Sequence, residues 1–210
     1  MAADGSIIGI VDYGLGNLTS VAGAVRKLGY EPRITADPAE LAAADKLILP
    51  GVGAFPDGMA NLAERGLIDV LGDLVLKRRK PILGICLGFQ LLGQSSEEFG
   101  HTAGLGWVDA PVTLLAPDDA ALRVPHVGWN EVRKAGDCIL FDGIDDGALF
   151  YFVHKYKMEG PASATVAATC DYGGTFTAAV QKGPVFGTQF HPEKSQQAGL
   201  ALLRNFLEKA

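Results

Sequence analysis

The chain has 210 residues, of which 48% are hydrophobic and 20% charged, and a formal net charge of −6. That balance excludes a disordered polymer and is expected to make one domain, residues 1–210, with enough apolar mass for a large core. The acidic surplus argues against nucleic acid or an anionic membrane surface as partner, and no apolar run reaches the roughly 18 residues of a membrane span.

In chain order, "MAADGS" has no basic leader region and the apolar stretch behind it is too short for a secretory signal, so a cytoplasmic location is expected. "SIIGIVDY" reads as a buried strand, and Asn17 is placed to cap the helix "LTSVAGAVRKLG", which Gly29 stops. "KLILP" is a second buried strand, followed by the glycine-rich loop "GVGAFPDG" and helical stretches as far as Arg79. "PILGIC" is a third strand, and "LGFQLLGQSSEEF" carries a helical pattern. Strand–helix alternation of this kind predicts an α/β fold with a mainly parallel central sheet and helices on both faces. From about residue 107 short strands follow closely, "WVDAPVTLL", "ALFYFVHKY", "ATVAATC", "TFTAAVQ" and "VFGTQFHP", and predict an antiparallel extension. Ser195 begins a closing helix, "SQQAGLALLRNFLEKA".

One junction carries chemistry. In "ILGICLGF" a cysteine, Cys86, stands between Gly84 and Gly88 where an apolar strand passes into a helical pattern. A sharp strand-to-helix turn strains the residue at its apex, and side chains two positions away on either side would collide with it. Glycine at both places removes the collision. The thiol would then lie over the first turn of a helix, whose free N–H groups favour a thiolate, and the Leu87 N–H would point to where an oxyanion forms. A buried cysteine with incidental glycines reads the same way in a chain with 27 glycines, so the nucleophile needs a base.

The chain has four histidines, and His191 lies in "GTQFHPEKS" at the end of an apolar strand, two residues before Glu193. Residues i and i+2 of an extended segment share a face, and Pro192 biases His191 towards an extended backbone. Glu193 can therefore hold one ring nitrogen while the other addresses Cys86, the nucleophile–base–orienter arrangement of a triad. The competing reading is a His-Pro turn beside a solvated glutamate. Three unclustered cysteines give neither a disulfide framework nor a zinc site, and Cys138 and Cys170 read as buried and structural. His126 and His154 read as satisfied core or interface residues, with no metal spacing. "YGLG" lacks the third glycine of a dinucleotide fingerprint, so no cofactor is expected.

Together, "GICLGFQLL" and "FHPEKS" resemble the signatures of the class I, triad-type glutamine amidotransferases. "DYGLGNLTS", "LPGVGAFPDGM", "PHVGWN" and "FYFVHKY" are similar to one branch of that family, the glutaminase subunits of imidazole glycerol phosphate synthases. The resemblance covers nearly the whole chain. It implies a flavodoxin-like α/β domain, a Cys86–His191–Glu193 triad, and hydrolysis of glutamine to glutamate and ammonia through a cysteinyl thioester. It places an oxyanion hole at the backbone of Val52 and Leu87. Contacts to glutamine are implied for Gly51, Gly53, Gln90, Glu98, Lys155 and Tyr156, with Glu98 on the substrate ammonium. The implied partner is a (β/α)8-barrel cyclase subunit, forming a heterodimer that Asn17, Trp129, Tyr151 and Lys194 would contact. Phe89 stands where methionine is usual and "HKY" where "HSY" is more frequent, so Lys155 leaves open any glutamine contact through a hydroxyl side chain. The resemblance keeps open the sibling glutaminases of pyridoxal phosphate synthase and anthranilate synthase, a dead scaffold, and a cysteine peptidase of the same architecture.

Overall fold

A computed structural model of the chain describes residues 5–210, so most of the "MAADGS" stretch behind the location reading lies outside the described residues. The first half alternates strands and helices: β1 (Ile7–Val11), α1 (Leu18–Lys27), β2 (Glu31–Thr35), α2 (Pro38–Ala43), β3 (Lys46–Gly51), α3 (Phe55–Glu64), α4 (Leu67–Gly72), β4 (Ile82–Cys86) and α5 (Leu87–Leu91). Strands then dominate: β5 (Ser95–Ser96), β6 (Thr102–Ala103), β7 (Val112–Leu114), β8 (His126–Lys134), β9 (Ala148–His154), β10 (Tyr156–Met158), β11 (Val166–Asp171), β12 (Thr175–Lys182) and β13 (Val185–Thr188), closed by α6 (Gln196–Lys209).

Nine strands form one sheet in the order β2-β1-β3-β4-β13-β12-β11-β8-β9. From β2 to β13 every neighbouring pair is parallel, and from β13 to β9 every pair is antiparallel. β13 is therefore the seam, pairing parallel with β4 (Thr188 opposite Ile85) and antiparallel with β12. One face is covered by α1 and α6, whose Val21, Val25, Leu202 and Phe206 pack on Ile8, Ile10 and Ile85. The other takes α3, α4 and α5 through Phe55, Leu62, Leu71 and Leu91, on Val11 and Leu49. Buried strands with both faces covered explain why the parallel half reads as continuous apolar runs.

The expected α/β architecture stands, with four local corrections. "LGFQLLGQSSEEF" is helical only over Leu87–Leu91. The chain leaves the helix after Leu91, a side chain at Gly93 would lie 2.9 Å from the Ala110 carbonyl, and Ser95–Ser96 pair as a strand with Thr102–Ala103. "WVDAPVTLL" contributes only Val112–Leu114, and to a separate four-stranded sheet, β10-β7-β5-β6, rather than to the main extension. "GVGAFPDG" is helix in its second half, because α3 starts at Phe55 with Pro56 in its first turn. Ser195 precedes α6 but does not cap it. Its hydroxyl donates to the His191 carbonyl at 2.6 Å and accepts the Tyr151 N–H at 3.0 Å, tying the turn after β13 to β9. Asn17 does cap α1, accepting the Ser20 N–H at 3.3 Å, and Gly29 follows that helix at φ 88°. Among the described residues no helix is long and apolar enough to cross a membrane.

Candidate active site

β4 passes directly into α5 at Cys86, which is held at φ 54°, ψ −107°, a region that L residues rarely adopt. Missing side chains make room for the turn. A Cβ at Gly84 would stand 2.8 Å from the Gly88 carbonyl, one at Gly88 would run into the Leu49 carbonyl, and one at Gly187 would run into the Phe89 ring. The bend thus presses backbone on backbone, with Phe89 filling the space that Gly187 leaves. Since α5 is little more than one turn long, its leading N–H groups act locally rather than through a long dipole.

Cys86 is 6% exposed. It donates to the Val153 carbonyl at 3.7 Å and accepts the Gln189 Nε2–H at 3.9 Å. Because β13 pairs with β4, the chain brings His191 to the same end of the sheet, and the His191 N–H donates to the Tyr151 carbonyl at 2.9 Å. His191 Nδ1 lies 2.8 Å from Glu193 Oε1, and both side chains are buried. The pairing is made by a 3-10 turn over Pro192–Lys194, not by the extended segment that the i, i+2 argument expected. A carboxylate only accepts, so Nδ1 carries a proton and Nε2 is the nitrogen turned to the sulfur. Nε2 is buried and faces the Cys86 sulfur. Burial alone would lower the pKa of His191. Hydrogen bonding to Cys86 and Glu193, and the negative charge of each, outweigh it and push the imidazole up to about 9.

That shift has a sign that can be read in kinetics. A proton held on His191 up to about pH 9 is available to a leaving group below that pH and is lost above it. The alkaline limb of kcat/KM for a reaction run by this pair is expected to fall about tenfold per pH unit above pH 9. Glu193→Gln, which removes one of the groups raising His191, is expected to move that limb to lower pH. An unmoved limb would separate Glu193 from the base.

The sulfur opens on a cavity of about 250 Å³. That is somewhat under the roughly 300–1,000 Å³ of pockets for drug-sized ligands and suits a small metabolite. Val52, Gly53, Leu87, Gln90, Glu98, Lys155 and Tyr156 all line it. Gly51 does not. It ends β3 opposite Cys86, packed against Leu87 and the Tyr13 hydroxyl. Gln90 Nε2 donates to the Tyr156 carbonyl at 2.8 Å and to Gln189 Oε1 at 3.1 Å, which fixes the cavity floor. Glu98 belongs to a turn rather than a helix end, and its Oε2 accepts the Phe55 N–H at 2.9 Å, setting the carboxylate at the head of α3 beside the loop Val52–Gly53.

Along that wall, which His154 helps to line, the histidines pair off. His154 Nδ1–H donates to the Tyr156 carbonyl at 2.9 Å, so its Nε2 accepts from His126 Nδ1 at 3.1 Å. Burial lowers both, His126 to about 4 and His154 to about 3, so they are neutral structural groups. Cys138 and Cys170 are buried too, and burial pushes their thiols up to about 11 and about 12. The outward face of β8 and β9 carries an apolar patch, with Val127 56%, Trp129 44% and Leu149 52% exposed. The Trp129 and Tyr151 rings meet edge to face at 6.0 Å, and Lys194 Nζ stands 5.9 Å over Tyr151. Trp129 is therefore a surface residue rather than the core aromatic its type alone suggests. The Asn17 side chain is engaged in the α1 cap. Gln189, Tyr13 and the Val153 carbonyl are site groups that sequence reasoning missed. Only the position of Gln189, two residues before His191 in "GTQFHP", offered a signal.

Residues 9–210 match the family described as Glutamine amidotransferase class-I. Imidazole glycerol phosphate synthase subunit HisH of Moorella thermoacetica is 49% identical over 201 residues, covering 96% of this chain and 94% of that protein. The protein of the same name from Syntrophotalea carbinolica is 49% identical over 204 residues, covering 95% and 98%. The structure of PurLQS from Thermotoga maritima superposes with a TM-score of 0.75 at 19% identity, over 99% of this chain and 98% of that one, a likeness of fold alone.

Proposed function

We propose that this chain, which belongs to the class-I glutamine amidotransferase family, is the glutaminase subunit of an imidazole glycerol phosphate synthase. The observation that carries the reading is a buried His191 held by Glu193 and set against Cys86, whose sulfur lines the cavity, in a chain half-identical along its length to proteins of that name. Residues 1–210 act as one amidotransferase domain, in the cytoplasm.

Glutamine enters with its side-chain amide at the sulfur, and its ammonium group is drawn by the Glu98 carboxylate. The Cys86 thiolate attacks the amide carbon, and the electron pair of the C=O moves onto oxygen. Two backbone donors, the Leu87 N–H and the Val52 N–H, take up that charge, each worth about 3–4 kcal/mol in comparable sites. His191 gives its Nε2 proton to the departing nitrogen as the C–N bond breaks, which leaves a glutamyl thioester and ammonia. His191 then takes a proton from water, the hydroxide attacks the thioester, and glutamate leaves with sulfur restored. Glu193 keeps the ring oriented throughout and balances its charge.

Ammonia released into water would protonate and diffuse away, so it passes to a partner, the (β/α)8-barrel cyclase. The patch of Val127, Trp129, Leu149 and Tyr151, with Lys194 over it, is the surface we assign to that partner. It abuts the site through the Tyr151 carbonyl on His191. Val52, which the oxyanion role requires, is 41% exposed and precedes Gly53 at φ 117°, a loop free to take more than one backbone arrangement. Glutamate formation is therefore expected to be low in the isolated chain and to rise at least about tenfold with cyclase and its nucleotide bound, the factor that 1.4 kcal/mol of differential binding supplies. Equal turnover with and without cyclase would contradict the assignment.

A further inference from the structure

The mechanism leaves one polar group at the site unused. Tyr13 is fully buried, and its hydroxyl has no hydrogen-bond partner among the described residues. Buried hydroxyls are normally paired, so an orphan beside a reaction centre asks for a partner that another arrangement supplies. Its surroundings are specific. A side chain on Gly51 would run into this hydroxyl, and would also stand 2.8 Å from Leu87 Cβ and 2.9 Å from the Gly88 nitrogen. The phenol thus touches the root of the Gly51–Val52–Gly53 loop where that loop meets the nucleophile turn. Burial first, and then the charge of Cys86, disfavour its ionisation, so it remains an O–H donor.

We infer that Tyr13 is a positioning residue for amide cleavage, its hydroxyl accepting the role of anchor for the Gly51 carbonyl when the Gly51–Val52 peptide turns its Val52 N–H towards the oxyanion. The inference rests on the glutaminase reading above. C=O and N–H of one trans peptide point in opposite directions, so aiming the Val52 N–H into the cavity drives the Gly51 carbonyl away from it. Val52 and Gly53 line the cavity, whereas Tyr13 and Gly51 do not. The donor therefore waits behind the loop, on the side to which the carbonyl moves. Glycine at 51 is needed twice, once to admit the phenol and once to let the peptide turn.

Tyr13→Phe removes the oxygen and keeps the ring. In the complete complex with cyclase and its nucleotide, kcat for glutamine is expected to fall about 10- to 100-fold with KM within about twofold of wild type. A glutamine-derived aldehyde, which forms a tetrahedral adduct on Cys86, should lose affinity by the same factor, while synthesis from added ammonia and the melting temperature do not fall. Wild-type kcat would overturn the inference. So would parallel losses in melting temperature and in the ammonia reaction, or a variant that does not fold, since each would give the phenol a structural role. Failure of the wild-type complex itself to hydrolyse glutamine would instead overturn the glutaminase reading.

Discussion

Replacing Cys86 by alanine lowers glutamine hydrolysis by at least about 10⁴-fold and leaves synthesis from added ammonia, in complex with the cyclase, at its wild-type rate. The size of the effect follows from there being no substitute for the sulfur. Cys138 and Cys170 do not line the cavity, and their thiols are kept protonated by burial. Water alone would have to attack an unactivated amide, with only the oxyanion donors remaining. The selectivity follows from the geometry. Alanine at φ 54° is no more strained than cysteine there, and one buried heavy atom is lost, so the fold and the surface of β8 and β9 are retained. Measured side by side, the two nitrogen sources decide the matter: if the ammonia-driven reaction dies as well, Cys86 holds structure rather than chemistry.

Gly88→Ala has the second large effect, on stability as much as on rate. Its Cβ would enter the space of the Leu49 carbonyl, which belongs to the neighbouring strand β3 and cannot rotate aside. Overpacking usually costs 1–3 kcal/mol, and backbone against backbone falls at the upper end, about 3 kcal/mol. For a chain of this length that corresponds to a melting temperature lower by about 6–12 °C. The same displacement lifts Leu87 away from the oxyanion, so glutaminase kcat falls with it. Gly23→Ala is the control, because nothing stands within 4 Å of a Cβ there and the residue lies mid-helix in α1. It should raise stability slightly. A Gly88→Ala protein that melts with wild type would refute the crowded-turn account.

What the chain of letters made legible was what short-range physics determines. β1, β3 and β4 are apolar on both faces and announce themselves, as does the Gly-x-Cys-x-Gly turn, whose glycines answer to contacts a few residues away. β2 and β8 went unread for physical reasons. β2 is an edge strand that tolerates Pro32 and is half exposed. β8 turns His126 and Asn130 inward to hydrogen bonds rather than apolar residues, so its alternation is masked. The pairing of His191 with Glu193 was anticipated and its backbone was not, because a 3-10 turn and an extended segment both bring i and i+2 together. Tyr13 was out of reach altogether. Its meaning depends on Gly51, which only the sheet brings to it.

The seam strand has a bearing on how the enzyme comes into being. Cys86 is in place once β3 and β4 pair, but the imidazole follows β13, which must slot between β4 and β12 and comes after every other strand of the sheet in chain order. A chain emerging N-terminal end first can build its parallel half while the thiol there still lacks a proton acceptor. The thiol is therefore chemically quiet until that strand is in place, and its reactivity switches on in the same event that joins the two halves of the sheet.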